Sequence, residues 1–235
     1  MKQTHISLFT ISIFFLFNFW SANSQTNLDT IQYKEKYGLR IGFDLSKPLK
    51  TLLEDDYRGL EIIGDYRVYK NYYLAAEIGN EELAIKEQNI SSTAKGSYIK
   101  LGADYNAYEN WAGMENVIFV GMRYAFSTFS QTLKEYTISR GSQYFPPNII
   151  AGPFETKGLT ASWVELVAGI KVELLNNLYL GGNVQLKRRI SQTTPSNFDN
   201  LAIPGFNRTY DESLFGVGYS YSLSYLIPLY KKAKD

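Results

Sequence analysis

Cysteine is absent from the 235 residues, and histidine occurs once, as His5. The first absence excludes disulfides, thiolate metal sites, cysteine nucleophiles and an anchor built on an acylated cysteine. His5 falls in a segment expected to be removed, so the working chain also lacks an imidazole. Ser-His-Asp triads, Cys-His pairs and typical zinc sites are then out of reach. Carboxylate-only catalysis is the one hydrolytic route left open. The expectation is a protein that is not an enzyme and carries no cofactor and no metal. A dominant charge is missing too: 24 basic residues face 23 acidic ones. No global field therefore draws nucleic acid or acidic substrates. After the first twenty residues no stretch reaches the ~18 apolar residues of a spanning helix.

The one dense apolar run is read as an address. Lys2 supplies a positive start, residues 6–20 form a dense apolar run, and Ala22-Asn23-Ser24 offers small residues to a signal peptidase. Residues 1–24 are expected to be a signal peptide, cleaved before Gln25. An uncleaved anchor is the alternative, and the run is short of the ~20 residues that would need.

What the chain has in quantity is aromatic residues (19 Tyr, 14 Phe and 3 Trp) and alternation with period two. Phe215, Val217, Tyr219, Tyr221, Leu223, Tyr225 and Ile227 alternate with Gly216, Gly218, Ser220, Ser222 and Ser224. Successive side chains of a strand point to opposite faces, so this pattern predicts one bulky and one small polar face. The pattern recurs over residues 39–45, 60–68, 74–79, 99–106, 117–127, 164–174 and 178–187. The total is eight strands.

A soluble sandwich or barrel would turn the bulky face inward, and an outer-membrane barrel would turn it to lipid. Three features favour lipid. The polar face is rich in Gly and Ser, as a narrow lumen requires. Connections alternate in length: Lys70-Asn71, Asn176-Asn177 and 109–115 are short, whereas 46–56, 85–94, 131–158 and 191–212 are long and polar. Outer-membrane barrels show this asymmetry. Aromatic residues stand near strand ends (Tyr37, Tyr57, Tyr69, Tyr72, Tyr73, Tyr108, Trp111, Trp163, Tyr179, Tyr230), where a membrane–water boundary suits them. The predicted fold is all-β, an eight-stranded antiparallel up-and-down transmembrane β-barrel spanning 37–230, closed because lipid offers no partner to a sheet edge. A short periplasmic segment (25–36) and a basic periplasmic tail (231–235) flank it, and both termini are periplasmic.

Inward polar faces would gather Arg40, Arg67, Lys100, Arg123, Lys171, Lys187 and Arg189 with Asp44, Glu61, Asp65, Glu77, Asp104, Glu165 and Glu173. Seven cations against seven carboxylates in a narrow lumen imply interlocked ion pairs. A filled structural interior is favoured over a selective pore or proton path. Arg188, out of phase with its neighbours, is expected at the outer rim. The run Glu54-Asp55-Asp56 is read as a solvated loop, and the sequons at Asn89 and Asn207 as coincidence. Two long connections mix aromatics with Pro and Gly, so they are expected to be ordered, against each other or against a partner. Their candidate partner-binding residues are Tyr144, Phe145, Pro146, Pro147, Phe154, Phe198, Pro204, Phe206, Arg208 and Tyr210.

The stretches Asp65–Glu77, Phe126–Gln131, Ser196–Asn200 and Ile203–Asp211 resemble a family of uncharacterised small outer-membrane β-barrel proteins, OmpA/OmpX-like at fold level. The resemblance implies a location in the outer membrane beside lipid. It also implies an accessory role next to the barrel-assembly machinery. The expected function is thus structural, or the holding of a protein partner in that membrane. The alternative is a narrow channel for ions or small solutes.

Overall fold

The structure, a computed structural model, describes residues 34–110, 115–138, 148–195, 198–210 and 213–233. The expected signal segment 1–24, Trp111 and the loop residues Tyr144, Phe145, Pro146 and Pro147 lie outside the described residues.

The fold is all-β. Each alternating stretch becomes a strand: β1 (Lys34–Asp44), β2 (Tyr57–Tyr69), β3 (Tyr72–Glu87), β4 (Ile90–Asn106), β5 (Val117–Ile138), β6 (Asn148–Leu175), β7 (Leu178–Gln192) and β10 (Phe215–Ala233). Two-residue strands β8 (Ala202–Ile203) and β9 (Asn207–Arg208) form a small separate hairpin, and α1 (Ser46–Leu53) follows β1. All pairings are antiparallel. The long strands run in the order β1-β10-β7-β6-β5-β4-β3-β2, and β1 pairs with both β10 and β2, so the sheet is a closed barrel. At the Asn176-Asn177 turn, Asn177 adopts φ 67°, a conformation that asparagine tolerates well.

The period-two pattern sorts the side chains into two environments. Outward rows are bulky and apolar: Leu74, Ile78, Leu101, Met122, Tyr124, Leu166 and Val184 are all exposed, Met122 at 63%. Inward rows hold buried ionic groups, among them Glu61, Lys100, Asp104, Arg123 and Glu165. Among the described residues no helix is long and apolar enough to cross a membrane.

The structure departs from the sequence expectations in four places. Residues 85–94 are not a long loop. β3 and β4 continue to Glu87 and Ile90, which pair across a two-residue turn. Likewise β5 runs to Ile138 and β6 starts at Asn148. The sequence is polar there, so hydrophobic alternation fades while backbone pairing continues.

The second departure is in 46–56. β1 stops at Asp44, whereas β10 extends on to Phe215 and β2 to Tyr57, leaving a gap in the wall. α1 fills it. The Gly59 N–H on β2 donates to Thr51 Oγ1 at 3.0 Å, and Lys47 pairs with the buried Glu81. Leu49, Leu52 and Leu53 remain exposed, so this helix presents its apolar side away from the barrel.

Third, the flanking segments are partly wall: Lys34 pairs with Ala233, and Lys36 with Lys231. Fourth, Tyr37, Tyr57, Tyr73, Trp163 and Tyr179 are buried inside rather than ringing the outside. Tyr69, Tyr72 and Tyr230 are exposed at strand ends as expected.

Candidate functional site

The near end of the barrel is taken as the end where β1 begins and β10 finishes. From there the interior falls into three layers, each read off the inward face of the same strands.

The middle layer is ionic. Arg123 on β5 grips Asp104 on β4 with two nitrogens, at 2.7 and 3.0 Å, and reaches Glu77 on β3 at 3.2 Å. Lys100 on β4 lies 2.8 Å from Glu77, 3.2 Å from Glu61 and 3.9 Å from Glu165. Glu165 on β6 also lies 3.5 Å from Lys187 on β7 and accepts the Trp163 indole N–H at 2.7 Å. Toward the near end, Lys171 meets Asp65 at 2.6 Å and Asp104 at 4.0 Å, and Arg40 stands 3.5 Å from Asp65. Cations and carboxylates therefore alternate from Arg40 through to Lys187. Alternation is the only cheap arrangement for charges removed from water, because an unmatched one would carry its full desolvation cost. A void beside Glu61, Glu77 and Arg123 is about 30 Å³, space for a water.

Several members of the expected network sit elsewhere. Arg67 pairs with Glu35 at 2.6 Å, and Glu173 with Lys36 at 3.2 Å, both near the mouth. Asp44 accepts the N–H of Ser46 at 2.9 Å and so tethers the start of α1. Arg189 is half-buried, with no ion pair among the described residues. Arg188 is exposed on the outer face, 6.0 Å from the Phe215 ring.

The far layer is an apolar plug. The connection between β7 and β10 folds back into the barrel, and its turn carries Ile203, Pro204 and Phe206, all fully buried. Phe206 meets Trp163 edge to face at 5.7 Å, within a cluster that includes Tyr98, Phe129 and Leu159. Glu81 on β3 receives the Gly205 N–H at 2.8 Å and the Tyr57 hydroxyl at 2.8 Å, and Lys187 donates to the Gly205 carbonyl at 2.7 Å. Gly205 needs to be glycine: its φ is +85°, and a Cβ would lie 2.6 Å from the Tyr98 ring.

Pro204 and Phe206 are therefore not partner-facing, as the sequence suggested, because hydrophobic burial draws them into the lumen. Phe198 is half-buried. Phe154 and Tyr210 are exposed, while Arg208, also exposed, pairs with Glu87.

The sequence reading omits Glu81, Lys47 and Tyr98, and it names Trp163 only as a boundary aromatic. Three of them carried a usable signal: extending the alternation of β3, β4 and β6 a few residues outward reaches Glu81, Tyr98 and Trp163. Lys47 carried none, since it acts from a helix that the pattern did not announce.

The near layer is an open polar cavity of about 350 Å³. Arg40, Arg67, Tyr73 and Glu115 are among its walls. Glu115, in the connection between β4 and β5, accepts the Lys36 backbone N–H at 3.0 Å and the Tyr179 hydroxyl at 3.3 Å. Burial pushes its carboxyl above the ordinary value, against the lowering effect of Lys36. Among the described residues no three His, Cys, Asp or Glu side chains are grouped to hold a metal. The run Glu54-Asp55-Asp56 is drawn to lysines instead: Glu54 lies 3.6 Å from Lys50, and Asp56 pairs with Lys86.

Residues 1–232 match the family described as Domain of unknown function (DUF6048), and the chain belongs to that family. No curated protein matches it.

Proposed function

We propose that this member of the DUF6048 family is an integral outer-membrane β-barrel with a structural or partner-holding role. The observation that carries the reading is the inversion of burial. Bulky rows such as Leu74, Leu101, Met122, Leu166 and Val184 face out, while Lys100, Asp104, Arg123 and Glu165 are enclosed. In water this arrangement would forfeit the hydrophobic driving force and still carry the desolvation of the charges. In a bilayer the outer rows are at home. The outward apolar rows run from Ile118 to Phe126 on β5 and from Val164 to Leu174 on β6. Such lengths suit the ~9–11 residues of a tilted membrane strand. Residues 1–24 act in this reading as the export signal.

The filled interior supports holding over conduction. Among the described residues the ionic middle and the plug of Ile203, Pro204 and Phe206 occupy the interior, so planar-bilayer recordings should give no conductance above background. The exposed Phe154 and Tyr210, together with the apolar side of α1, are the surfaces offered to a neighbouring membrane protein. An accessory subunit of an outer-membrane assembly complex fits this arrangement.

Cross-linking mass spectrometry on intact outer membranes tests the reading. The chain should appear in that fraction, require detergent for release, and yield recurrent cross-links to one partner. Recovery as a monodisperse species in detergent-free buffer would sink the membrane placement. Repeated isolation without any cross-linked neighbour would sink the partner role.

A further inference from the structure

We infer that the bare edge of β10 at Val217–Tyr219 is a docking edge for an extended segment of a protein partner, which adds there as an antiparallel strand in the line of β1 beyond its end. The inference names the surface and the form of the partner, and it rests on the partner-holding role proposed above.

The last bond between the β1 side and β10 runs from the Leu45 N–H to the Tyr221 carbonyl at 2.6 Å. On its other edge the Leu214 carbonyl accepts the Arg189 N–H at 2.8 Å, and Gly216 and Gly218 continue that ladder opposite Lys187 and Gln185. Backbone groups of successive residues point to alternate edges of a strand, so the N–H and C=O of Val217 and Tyr219 point into the gap beyond β1. They have no hydrogen-bond partner among the described residues. α1 fills the gap from the β2 side: Thr51 accepts the Gly59 N–H, and the Glu54 carbonyl accepts the Tyr57 N–H at 3.3 Å. Toward β10 a cavity of about 650 Å³ remains, lined by Lys47 and Lys50 of α1 and by Val217, Gly218 and Tyr219. Val217 is 73% exposed, so the edge is open rather than sealed.

Hydrocarbon offers nothing to bare N–H and C=O groups, and each one left so is costly. This edge presents donors and acceptors in turn at strand spacing. Lipid esters and phosphates only accept, whereas another extended backbone matches both. A second copy does not fit. Two chains inserted alike are related by an axis along the membrane normal, so their tilted β10 strands would cross rather than pair. The side chains of β10 set the composition of the partner segment. Phe215, Val217 and Tyr219 are exposed on the outer face, and Gly216 and Gly218 alternate with them. A Cβ on Gly218 would lie 3.1 Å from the Lys187 side chain, so room on the inner side is small. A segment of about five residues, apolar opposite the first set and small opposite the second, continues both faces of the wall.

The test uses the full chain in a neutral maltoside detergent and the peptide Leu-Ser-Leu-Ser-Leu, acetylated and amidated. Amide exchange is followed by NMR. The peptide should slow exchange at Val217 and Tyr219 at least tenfold and saturably, and leave Gly216 and Gly218, already bonded to β7, unchanged. The same peptide N-methylated at its first two leucines, whose N–H groups would face β10, should bind at least tenfold more weakly. N-methylation at the two serines, whose N–H groups face away, should leave binding intact. Val217→Pro removes one gap-facing N–H without touching the β7 ladder and should also weaken binding at least tenfold. Its folding is checked by heat-modifiable electrophoretic mobility, and the methylated peptides carry the test on the wild-type chain should it misfold. Absence of saturable protection would overturn the assignment. Equal binding by the leucine-methylated peptide would do so too, by showing mere partition of an apolar peptide. Exchange at Val217 and Tyr219 as slow as at Gly218 without peptide, in detergent or in phosphatidylcholine vesicles, would mean that α1 or lipid already closes the edge. Recurrent cross-links to a partner without the peptide effect would sink this inference and leave the partner role standing.

Discussion

Lys100→Met removes one charge from the centre of the ionic layer while nearly conserving volume. Lys100 is 1% exposed and within 4 Å of three carboxylates: Glu77, Glu61 and Glu165. Breaking a buried pair by deleting one partner typically costs about 3–5 kcal/mol, because the charge left behind is uncompensated. Here the loss should sit near 3 kcal/mol. Glu77 keeps Arg123 at 3.2 Å and Glu165 keeps Lys187 at 3.5 Å, so only Glu61 is left with no cation within 4 Å among the described residues. Glu61 would retain the Tyr98 hydroxyl, which already donates to it. It follows that Lys100→Met combined with Glu61→Gln should recover at least half of the loss, since the amide can keep the Tyr98 contact without a charge. The assay is reversible urea unfolding in lipid vesicles, followed by the fluorescence of the buried Trp163. A loss below about 1 kcal/mol would mean the charge is solvated, and a double variant no better than the single one would mean Glu61 is not the stranded partner. Either result refutes the interlocked interior.

Three further outcomes follow from the same geometry. Met122→Arg places a cation on the outward face, and in vesicles it should destabilise the barrel by about 2–4 kcal/mol, the depth-dependent penalty for a lipid-facing arginine; an unchanged urea midpoint would mean that face meets water. Gly205→Ala meets both an unfavourable φ and the Tyr98 ring, so it should release the turn that carries Ile203 and Phe206, seen as new proteolysis within 198–210 of the folded protein; persistent protection would show that the turn is held without it. Phe206→Ala leaves a cavity against Trp163 and should cost about 3–5 kcal/mol in the same unfolding assay; a cost under about 1 kcal/mol would mean the plug does not stabilise the barrel.

The period-two pattern was a local property, and it survived folding because each inward or outward assignment depends only on a residue's place along its own strand. Leu166 out and Glu165 in could be written down from the chain alone, as could the near balance of charge among the inward residues. The pattern failed where hydrophobicity faded. The clear alternation of β3 ends at Gly79, short of Glu81, although Glu81 lies two alternations beyond Glu77. It failed also where side chains serve the interior from outside a strand, as Lys47 does from α1. What only the tertiary structure decided is how the far end closes. Glu81 and Gly205 are 124 residues apart and meet only once the barrel has brought β3 opposite the connection that follows β7. The aromatic stretch 195–210 reads equally well as a loop packed against its neighbouring loop or as one that meets a partner, and the structure makes it a plug instead. That outcome depends on the presence of an apolar hollow formed by Tyr98, Phe129 and Trp163, and that hollow exists only in three dimensions. The setting of Arg40, 3.5 Å from Asp65, is a fact of the same kind. The chain shows an arginine facing inward, but that Asp65 is shared with Lys171 follows from the closure that sets β1, β2 and β6 around one lumen.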